Sequence, residues 1–281
     1  MSRVLVLGKN GQLARALARA RSDIVCLGRA DFDLLRTAEI APRIAALRPD
    51  MVINAAAYTY VDQAEDDGDA AFALNRDAPR ELARACDAVG AAFVHVSTDY
   101  VFDGDKGAPY VEDDAKRPIN LYGRSKDEGE DAVLAGAERA AVIRTQALID
   151  YEGRNFVSSM LCLAERQGGA RVVADGLGRP TWAPDLAEAC LAAATALRDG
   201  EAKARGVFHY AGSDDVIWAD YAEAAYAYAA PHAHVERVSR ADFTQRARRP
   251  ADTRLDADKI VRVLGVTRRP WRETLALFFA G

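Results

Sequence analysis

A phenol and an ammonium lie four residues apart in the sequence NLYGRSK at residues 120–126, where Tyr122 and Lys126 stand near the polar start of a predicted helix. Side chains four residues apart meet on one face of a helix. A phenol with its ordinary pKa of about 10 is a poor proton shuttle at neutral pH, and we expect a neighbouring ammonium to lower that pKa. The pair therefore suits general acid catalysis, although tyrosines and lysines also share solvated helix faces without any such role.

A second polar group follows the apolar run AFVHVS at residues 92–97, where Thr98, Asp99 and Tyr100 come in succession. We expect the helix that carries Tyr122 to return alongside this predicted strand. Thr98 could then hydrogen-bond the same substrate oxygen as the phenol. Thr98, Tyr122 and Lys126 would together protonate a carbonyl oxygen while a nicotinamide delivers hydride to the carbonyl carbon.

The elements that must position these residues are short apolar runs separated by helix-length segments. Continuous apolar runs of this kind are typical of parallel strands buried on both faces, so the pattern predicts an α/β fold with a Rossmann-type doubly wound parallel sheet. The predicted strands are residues 4–7, 24–27, 51–54, 92–97 and 141–145, and the helices between them include residues 12–20, 37–47 and 76–89.

Beyond residue 150 the alternation loosens, which predicts a smaller mixed α/β C-terminal lobe that binds the substrate. We therefore expect an NAD(P)-binding domain at residues 1–150 and a mainly substrate-binding lobe at residues 151–281, with the chain free to cross between them. The predicted elements of the lobe are helices near residues 156–167, 185–197 and 219–229 and strands at residues 171–174 and 207–210.

A glycine-rich turn, GKNGQLARAL, follows the first predicted strand directly and opens a helix. Glycines at such a turn let backbone N–H groups approach a pyrophosphate at the positive end of the helix. The usual third glycine is Ala14, and similar turns occur without ligands, so the strand-then-helix context carries the prediction. The expected cofactor contacts here are Gly8, Asn10, Gly11, Gln12 and Leu13.

The second predicted strand ends near Arg29, where a site for NAD would place an acidic residue for the ribose 2′-OH. A guanidinium there can pair with a 2′-phosphate, so we expect NADPH, with NADH as the alternative. The other reading is an exposed arginine after a strand. Asp33 and Leu34 would meet the adenine. The residues after the third strand, Ala55, Ala56, Ala57 and Tyr58, would let the cofactor lie across the strand ends.

Composition excludes several classes of protein. The chain has 281 residues, is 50% hydrophobic and carries a net charge of −5, which predicts a folded globular protein without a nucleic-acid partner. The first residues are typical of a strand rather than a leader, and no apolar run is long enough for a membrane span, so we expect a cytoplasmic protein without a membrane partner. The four cysteines are far apart, which predicts free thiols and no metal site.

The motifs together resemble the extended short-chain dehydrogenase/reductases, and among them the dTDP-4-dehydrorhamnose reductase family. The resemblance implies reduction of the 4-keto group of a dTDP-4-dehydro-6-deoxy-L-hexose by NAD(P)H, giving dTDP-L-rhamnose or a close relative. It implies Tyr122 as proton donor, Lys126 as its electrostatic partner and ribose anchor, and Thr98 as the hydroxyl that tunes them, with Thr98, Asp99 and Tyr100 beside the sugar. The motifs are GKNGQLA at residues 8–14, NAAAYTYVDQAE at 54–65, STDYVFDG at 97–104, PINLYGRSKDEGE at 118–130, GRPTWAPDLAEA at 178–189 and ARRPADTRLD at 247–256.

The chain departs from the family pattern at two places. The family usually reads Arg-Thr-Ser-Trp after the fifth strand, with the Trp against the sugar, whereas this chain has Gln146 and Ala147 at the last two positions. A small side chain at Ala147 opens the sugar pocket and leaves the identity of the hexose open. The glutamate that the family uses in a metal-mediated dimer is Ala16 here. We therefore expect a monomer or a weak homodimer.

Three other functions share these features. A nucleotide-sugar 4,6-dehydratase would follow its Thr with Asp and Glu, and Tyr100 at the position of that Glu argues against dehydration. Another nucleotide-sugar reductase or epimerase of the same superfamily remains open. A non-catalytic NADP-binding regulatory subunit also resembles this family, but the intact Thr98, Tyr122 and Lys126 favour an enzyme.

Overall fold

A parallel sheet of six strands forms the centre of the computed structural model, which describes residues 3–242 and 245–281. Its strand order is β10-β5-β4-β3-β1-β2, as in a doubly wound fold. The strands in chain order are β1 (Val4–Leu7), β2 (Val25–Leu27), β3 (Met51–Asn54), β4 (Ala92–Thr98), β5 (Ala140–Thr145), β6 (Leu148–Ile149), β7 (Gly169–Val173), β8 (Leu177–Gly178), β9 (Thr181–Trp182), β10 (Gly206–Tyr210), β11 (Val216–Ile217) and β12 (His234–Val238).

Helices cover both faces of this sheet. The helices are α1 (Gln12–Ala20), α2 (Thr37–Leu47), α3 (Val61–Ala64), α4 (Gly68–Phe72), α5 (Ala78–Val89), α6 (Leu121–Gly136), α7 (Phe156–Gln167), α8 (Ala183–Arg198), α9 (Trp218–Ala229), α10 (Asp258–Leu264) and α11 (Trp271–Ala280). Within the described residues, no helix is long and apolar enough to cross a membrane.

Alternating residues of each central strand pack into two separate hydrophobic cores, one on each face of the sheet. Val4 and Val6 of β1 pack into the core beneath α1, α8 and α10, whereas Leu5 and Leu7 pack into the core beneath α2 and α5. All four side chains are buried. A strand buried on both faces needs apolar residues at every position, which is why the continuous apolar runs predicted the sheet correctly.

A smaller group of elements follows the fifth strand. β7 pairs in parallel with β12, β8 pairs antiparallel with β11, and β6 pairs in parallel with β9. Helices α7, α9 and α11 cover these short strands with two further cores, in which Tyr221 and Trp271 are buried. The α/β class with a smaller mixed part is therefore confirmed.

Two elements that we predicted for the smaller lobe belong to the large sheet instead. β10 extends the sheet beside β5, where Gly206 pairs with Ala141, and α8 packs on α1 through an alanine-rich face. Sequence pattern shows that a strand is buried but not which sheet it joins. The chain thus crosses back to the large sheet, and the division into domains at residue 150 stays a prediction.

Candidate active site

The two predicted catalytic elements, β4 and α6, meet at the carboxyl edge of the sheet. Thr98 ends β4, and its hydroxyl accepts a hydrogen bond from the backbone N–H of Tyr100 at 3.2 Å. α6 comes close because Gly123 has no side chain: a Cβ there would collide with the carbonyl oxygen of Tyr100. This approach brings the ring of Tyr122 to 5.7 Å from that of Tyr100, edge to face. The structure thus brings together the residues that the sequence predicted for this edge.

The expectation that Lys126 lowers the pKa of Tyr122 is wrong for this structure. Burial raises the pKa of Tyr122 to about 12, against the opposing effect of a hydrogen bond with Thr98 and with a further rise from Asp99. Lys126 directs its Nζ to β4 instead, where it donates to the carbonyl oxygen of Val96 at 2.7 Å. Spacing along a helix predicted proximity, but the burial of the phenol outweighs the charge of a neighbour that points elsewhere.

Asp99 is buried and lies at the centre of a hydrogen-bond network. Thr98 donates to its Oδ1 at 3.0 Å, and Gln146 and Thr253 donate to its Oδ2. Burial raises the pKa of Asp99 to about 6 despite these donors. Gln146 also donates to the carbonyl oxygen of Thr253 and accepts from the N–H of Arg179. Gln146 therefore ties the end of β5 to three other segments, which its sequence neighbours did not reveal.

A cavity of about 410 Å³ opens beside this network. Of the predicted substrate contacts, Asp99, Tyr100 and Ala147 line it, whereas Thr98 does not. Its other residues were not predicted as substrate contacts, because most of them come from α7, β7, β8, α9 and the segment after β12, which are distant in the sequence. These are Gln146, Phe156, Met160, Arg171, Val172, Val173, Gly176, Leu177, Trp218, Arg240, Gln245, Arg249, Pro250, Ala251 and Thr253.

Ala147 has a left-handed backbone, with φ of 41°, and its carbonyl oxygen accepts from the N–H of Thr181 at 3.1 Å. Besides Tyr100, the aromatic side chains that share the cavity with it are Phe156 and Trp218. Trp182 does not line this cavity and is buried in the core formed with α7 and α11. The space left by the small side chain of Ala147 is thus bordered by aromatic residues from α7 and α9.

A second cavity, of about 310 Å³, lies at the ends of β1, β2 and β3. Gly8 has φ of +100°, and a Cβ there would lie 2.8 Å from the backbone nitrogen of Ala56. The chain therefore keeps an open cradle at this turn. Its lining is Leu7, Gly8, Lys9, Asn10, Gly11, Leu27, Gly28, Arg29, Phe32, Asp33, Leu34, Leu35, Ala55, Ala56, Ala57, Thr59 and Leu74.

Of the predicted cofactor residues, Tyr122 and Lys126 lie at the catalytic edge outside this lining, and three others, Gln12, Leu13 and Tyr58, also lie outside it. Gln12 Oε1 accepts a hydrogen bond from Asn155 Nδ2 at 3.0 Å, and the side chain of Leu13 is buried in the core under α1. Both backbone polar groups of Tyr58 bond to the side chain of Asn75. Contacts of these three residues with a cofactor stay predictions. Lys9, Phe32 and Leu74, by contrast, line the cavity without having been predicted.

Arg29 lies at the mouth of this cavity, with 78% of its side chain exposed and its Nε 3.7 Å from Asp33 Oδ2. It also borders a separate cavity with Arg36 and Arg43. An exposed guanidinium held by one weak ion pair is free to turn to a phosphate. The surroundings of Arg29 therefore fit a 2′-phosphate.

Replacing Arg29 with alanine is expected to weaken NADPH binding by about 1.5–3 kcal/mol, the range for hydrogen bonds to charged groups, and to leave NADH binding nearly unchanged. Isothermal titration calorimetry with each cofactor measures both effects. Arg205→Ala is the control, because Arg205 pairs with Glu138 and lies outside both cavities. Equal losses for NADPH and NADH would show that Arg29 does not read the 2′-phosphate.

The four cysteines are free, and Cys86 and Cys190 are buried. Over residues 3–242 and 245–281, the structure contains no group of three or more His, Cys, Asp or Glu side chains that could hold a metal ion.

Comparison with known proteins adds the family to this geometry. Residues 2–281 match the family model described as RmlD substrate binding domain. A dTDP-4-dehydrorhamnose reductase of Sinorhizobium fredii is 42% identical over 97% of this chain and 95% of its own length. A probable dTDP-4,6-dihydroxy-2-methyloxan-3-one 4-ketoreductase of Streptomyces antibioticus is 37% identical, over 97% and 93%.

A solved relative has nearly the same structure. The dTDP-4-dehydrorhamnose reductase of Bacillus anthracis, in complex with NADP, superposes with a TM-score of 0.92 at 32% identity, over 99% of both chains. The resemblance stated from the motifs is therefore confirmed. The chain belongs to the RmlD substrate binding domain family and is a relative of the dTDP-4-dehydrorhamnose reductases.

Proposed function

We propose that this chain reduces the 4-keto group of a dTDP-4-dehydro-6-deoxy-L-hexose, such as dTDP-4-dehydro-L-rhamnose, with NADPH as the hydride donor. The observation that carries the proposal is the position of Tyr122. Its phenol lies against Tyr100, which lines the cavity of about 410 Å³, at the same edge of the sheet as the glycine-rich turn after β1. A proton donor, a sugar-sized cavity and a dinucleotide cavity thus converge on one edge.

The raised pKa of Tyr122 agrees with the proposed direction of the reaction. With a pKa of about 12, the phenol is protonated at neutral pH and holds the proton that the carbonyl oxygen must receive. Reduction forms a C–H bond at C4 and an O–H bond at the former carbonyl oxygen, and Tyr122 supplies the second hydrogen as a proton. Thr98, which acts to lower the pKa of Tyr122, would orient the phenol, and the resulting tyrosinate would regain a proton from solvent.

NADPH, when bound, supplies the hydride. Gly8, Asn10 and Gly11 would hold its pyrophosphate through their backbone, and Arg29 would pair with its 2′-phosphate. Ala55, Ala56 and Ala57 keep the ends of β3 free of large side chains, so the nicotinamide end can approach β4. In the cavity of about 410 Å³, Arg171, Arg240 and Arg249 would pair with the diphosphate of the sugar nucleotide.

The test mixes the purified protein with NADPH and dTDP-4-dehydro-L-rhamnose and follows cofactor oxidation together with product formation by mass spectrometry. We expect one NADPH consumed for each dTDP-sugar reduced. Binding of NADPH without consumption, for any dTDP-4-keto sugar in a panel, would contradict the proposal and favour a regulatory subunit.

A different deoxysugar is the second candidate substrate, and Ala147 favours it. The Streptomyces antibioticus relative carries the name of a ketoreductase for a different dTDP-linked sugar, and Ala147 leaves space where the family places an indole. An open pocket would accept a bulkier or differently branched hexose.

Ala147→Trp is expected to change the ranking of substrates. If dTDP-4-dehydro-L-rhamnose is the native substrate, restored stacking should improve kcat/KM by the equivalent of about 0.5–1.5 kcal/mol, whereas a larger native substrate should clash. The measurement is kcat/KM across a set of dTDP-4-keto sugars. Ala147→Leu is the matched control, because it adds volume without an aromatic face. An unchanged ranking in the Trp variant would show that Ala147 does not face the sugar.

We further propose that the protein acts in the cytoplasm as a monomer or a weak homodimer, without a nucleic-acid or membrane partner. Ala16 in place of the family glutamate and the net charge of −5 support this proposal. Analytical ultracentrifugation over a range of protein concentrations tests the oligomeric state.

A further inference from the structure

A buried histidine, His95 of β4, lies between Lys126 and Asn54, and neither the motifs nor the comparisons assign it a role. Its side chain is fully buried. One ring nitrogen, Nδ1, lies 3.1 Å from Asn54 Nδ2, and the other, Nε2, lies 3.2 Å from Lys126 Nζ. The ring therefore connects a carboxamide of β3 to the lysine of the proposed catalytic set.

The orientation of Asn54 fixes which nitrogen of His95 carries the proton. The backbone N–H of Ala56 donates to Asn54 Oδ1 at 3.2 Å, so the amide nitrogen of Asn54 must face the ring. An amide nitrogen only donates, so His95 Nδ1 has to accept. In the neutral ring the proton then lies on Nε2, directed at Lys126.

Protonated Nε2 in turn restricts the charge of Lys126. An ammonium has three donors and no acceptor, so it would face the N–H of His95 donor to donor. A neutral amine accepts that N–H with its lone pair and still donates to the carbonyl oxygen of Val96, 2.7 Å away. If the amide of Asn54 were rotated by 180°, His95 Nε2 could accept from an ammonium of Lys126. The NH₂ group of Asn54 would then face the N–H of Ala56, donor to donor.

The other groups around Lys126 do not reverse this preference. Burial lowers the pKa of Lys126 to about 8, although Glu130, one turn further along α6, acts to raise it. The carboxylate of Glu130 is itself paired with Arg144 of β5. Burial holds the pKa of His95 well below its usual range, so the ring is neutral.

We propose that His95 is a positioning residue that, locked by Asn54 as the Nε2–H tautomer, holds Lys126 as a neutral amine turned toward β4 in the cofactor-free enzyme. Tyr122 then keeps its proton in the resting state, because no ammonium lies beside it to favour the tyrosinate. The catalytic meaning of His95 rests on the proposed function, whereas the protonation states themselves can be measured on the free protein and would survive its failure.

The first test reads the tautomer directly in the wild-type protein. The chain has four histidines, so long-range ¹H–¹⁵N correlation spectra can resolve His95, assigned by comparison with His95→Gln. We expect a protonated Nε2 and an unprotonated Nδ1 over the range of neutral pH. A protonated Nδ1 would overturn the proposal.

The second test titrates Lys126, one of only six lysines, by the ¹³Cε chemical shift of labelled lysine. Because an N–H facing Nζ disfavours the ammonium beyond the effect of burial, Lys126 should titrate below pH 8 in the wild type. His95→Phe keeps the ring but removes the N–H, so the midpoint should rise. His95→Gln adds an oxygen that can accept from the ammonium, so its midpoint should rise further, by at least one pH unit. A fall in His95→Phe would mean that Nε2 accepts from an ammonium and would overturn the proposal.

The third test links the tautomer to turnover. If the productive enzyme needs Lys126 as an ammonium, kcat/KM for NADPH should fall as pH rises through the pKa of Lys126 in the free enzyme. In His95→Gln that fall should move to higher pH by the same interval as the lysine signal. A profile that stays in place while the lysine signal moves would contradict a role for His95 in catalysis.

Discussion

Tyr122→Phe is expected to lower kcat by about 100- to 10,000-fold, the usual contribution of a positioned general acid, with little change in the affinity for NADPH. The substitution removes the only proton that the proposed mechanism delivers to the carbonyl oxygen, while the ring keeps its contact with Tyr100. Steady-state reduction of dTDP-4-dehydro-L-rhamnose gives kcat, and calorimetry gives the affinity for the cofactor.

Tyr100→Phe is the matched control for that substitution. Tyr100 is also a partly buried tyrosine, and its ring lies 5.7 Å from the ring of Tyr122. Burial raises the pKa of Tyr100 as well, so its phenol is also protonated. Because Tyr100 lines the cavity that we propose for the sugar, we expect its loss to raise KM more than it lowers kcat. Near-wild-type kcat in Tyr122→Phe, or equal losses of kcat in both variants, would contradict the assignment of Tyr122.

Glu130→Ala is expected to lower the free energy of unfolding by about 3–5 kcal/mol, the cost of leaving a buried charge without its partner. Glu130 accepts from Arg144 Nη2 at 2.8 Å and from Ser97, and both members of the ion pair are almost fully buried. Arg144 also contacts His209 Nε2 at 3.2 Å, and that ring cannot take over as a counter-ion. Urea unfolding followed by circular dichroism measures the loss.

Glu138→Ala tests whether burial of the ion pair causes the loss in the free energy of unfolding that we expect for Glu130→Ala. Glu138 pairs with Arg205 at the same distance of 2.8 Å, but 76% of its side chain is exposed. Exposed pairs contribute little, so this variant should lose no more than about 1 kcal/mol. Similar losses in the two variants would show that the Glu130 pair is not the buried anchor of α6 against β5.

The sequence predicted the large sheet well because the physics of its strands is local. A strand covered on both faces must be apolar at every position, so β1 and β3 are found at the residues where the apolar runs lie. The turn at Gly8 was also predictable, because a strand followed at once by a glycine-rich helix start is recognised from neighbouring residues alone. The same holds for the positions of Thr98 and Tyr122 at the carboxyl edge.

What the sequence could not give depends on contacts between distant residues. Gln146 meets the carbonyl oxygen of Thr253 across 107 positions, and His95 meets Lys126 across 31. The prediction that Lys126 lowers the pKa of Tyr122 was wrong for a related reason. Spacing along a helix predicts an encounter with Lys126, but burial and the direction of a flexible lysine are set by the whole fold. Gly123 is a sequence signal for the contact between α6 and the end of β4, because a glycine inside a helix often marks the close approach of another backbone.

The most direct test of the central claim is to reduce dTDP-4-dehydro-L-rhamnose with NADPH deuterated at the transferable position of the nicotinamide and to analyse the sugar by NMR and mass spectrometry. A reductase that uses Tyr122 as its proton donor should place one deuterium on C4 of the product, with one cofactor oxidised, and Tyr122→Phe should slow that incorporation with the same product. A product without deuterium at C4, or an altered sugar formed without net oxidation of NADPH, would contradict the account.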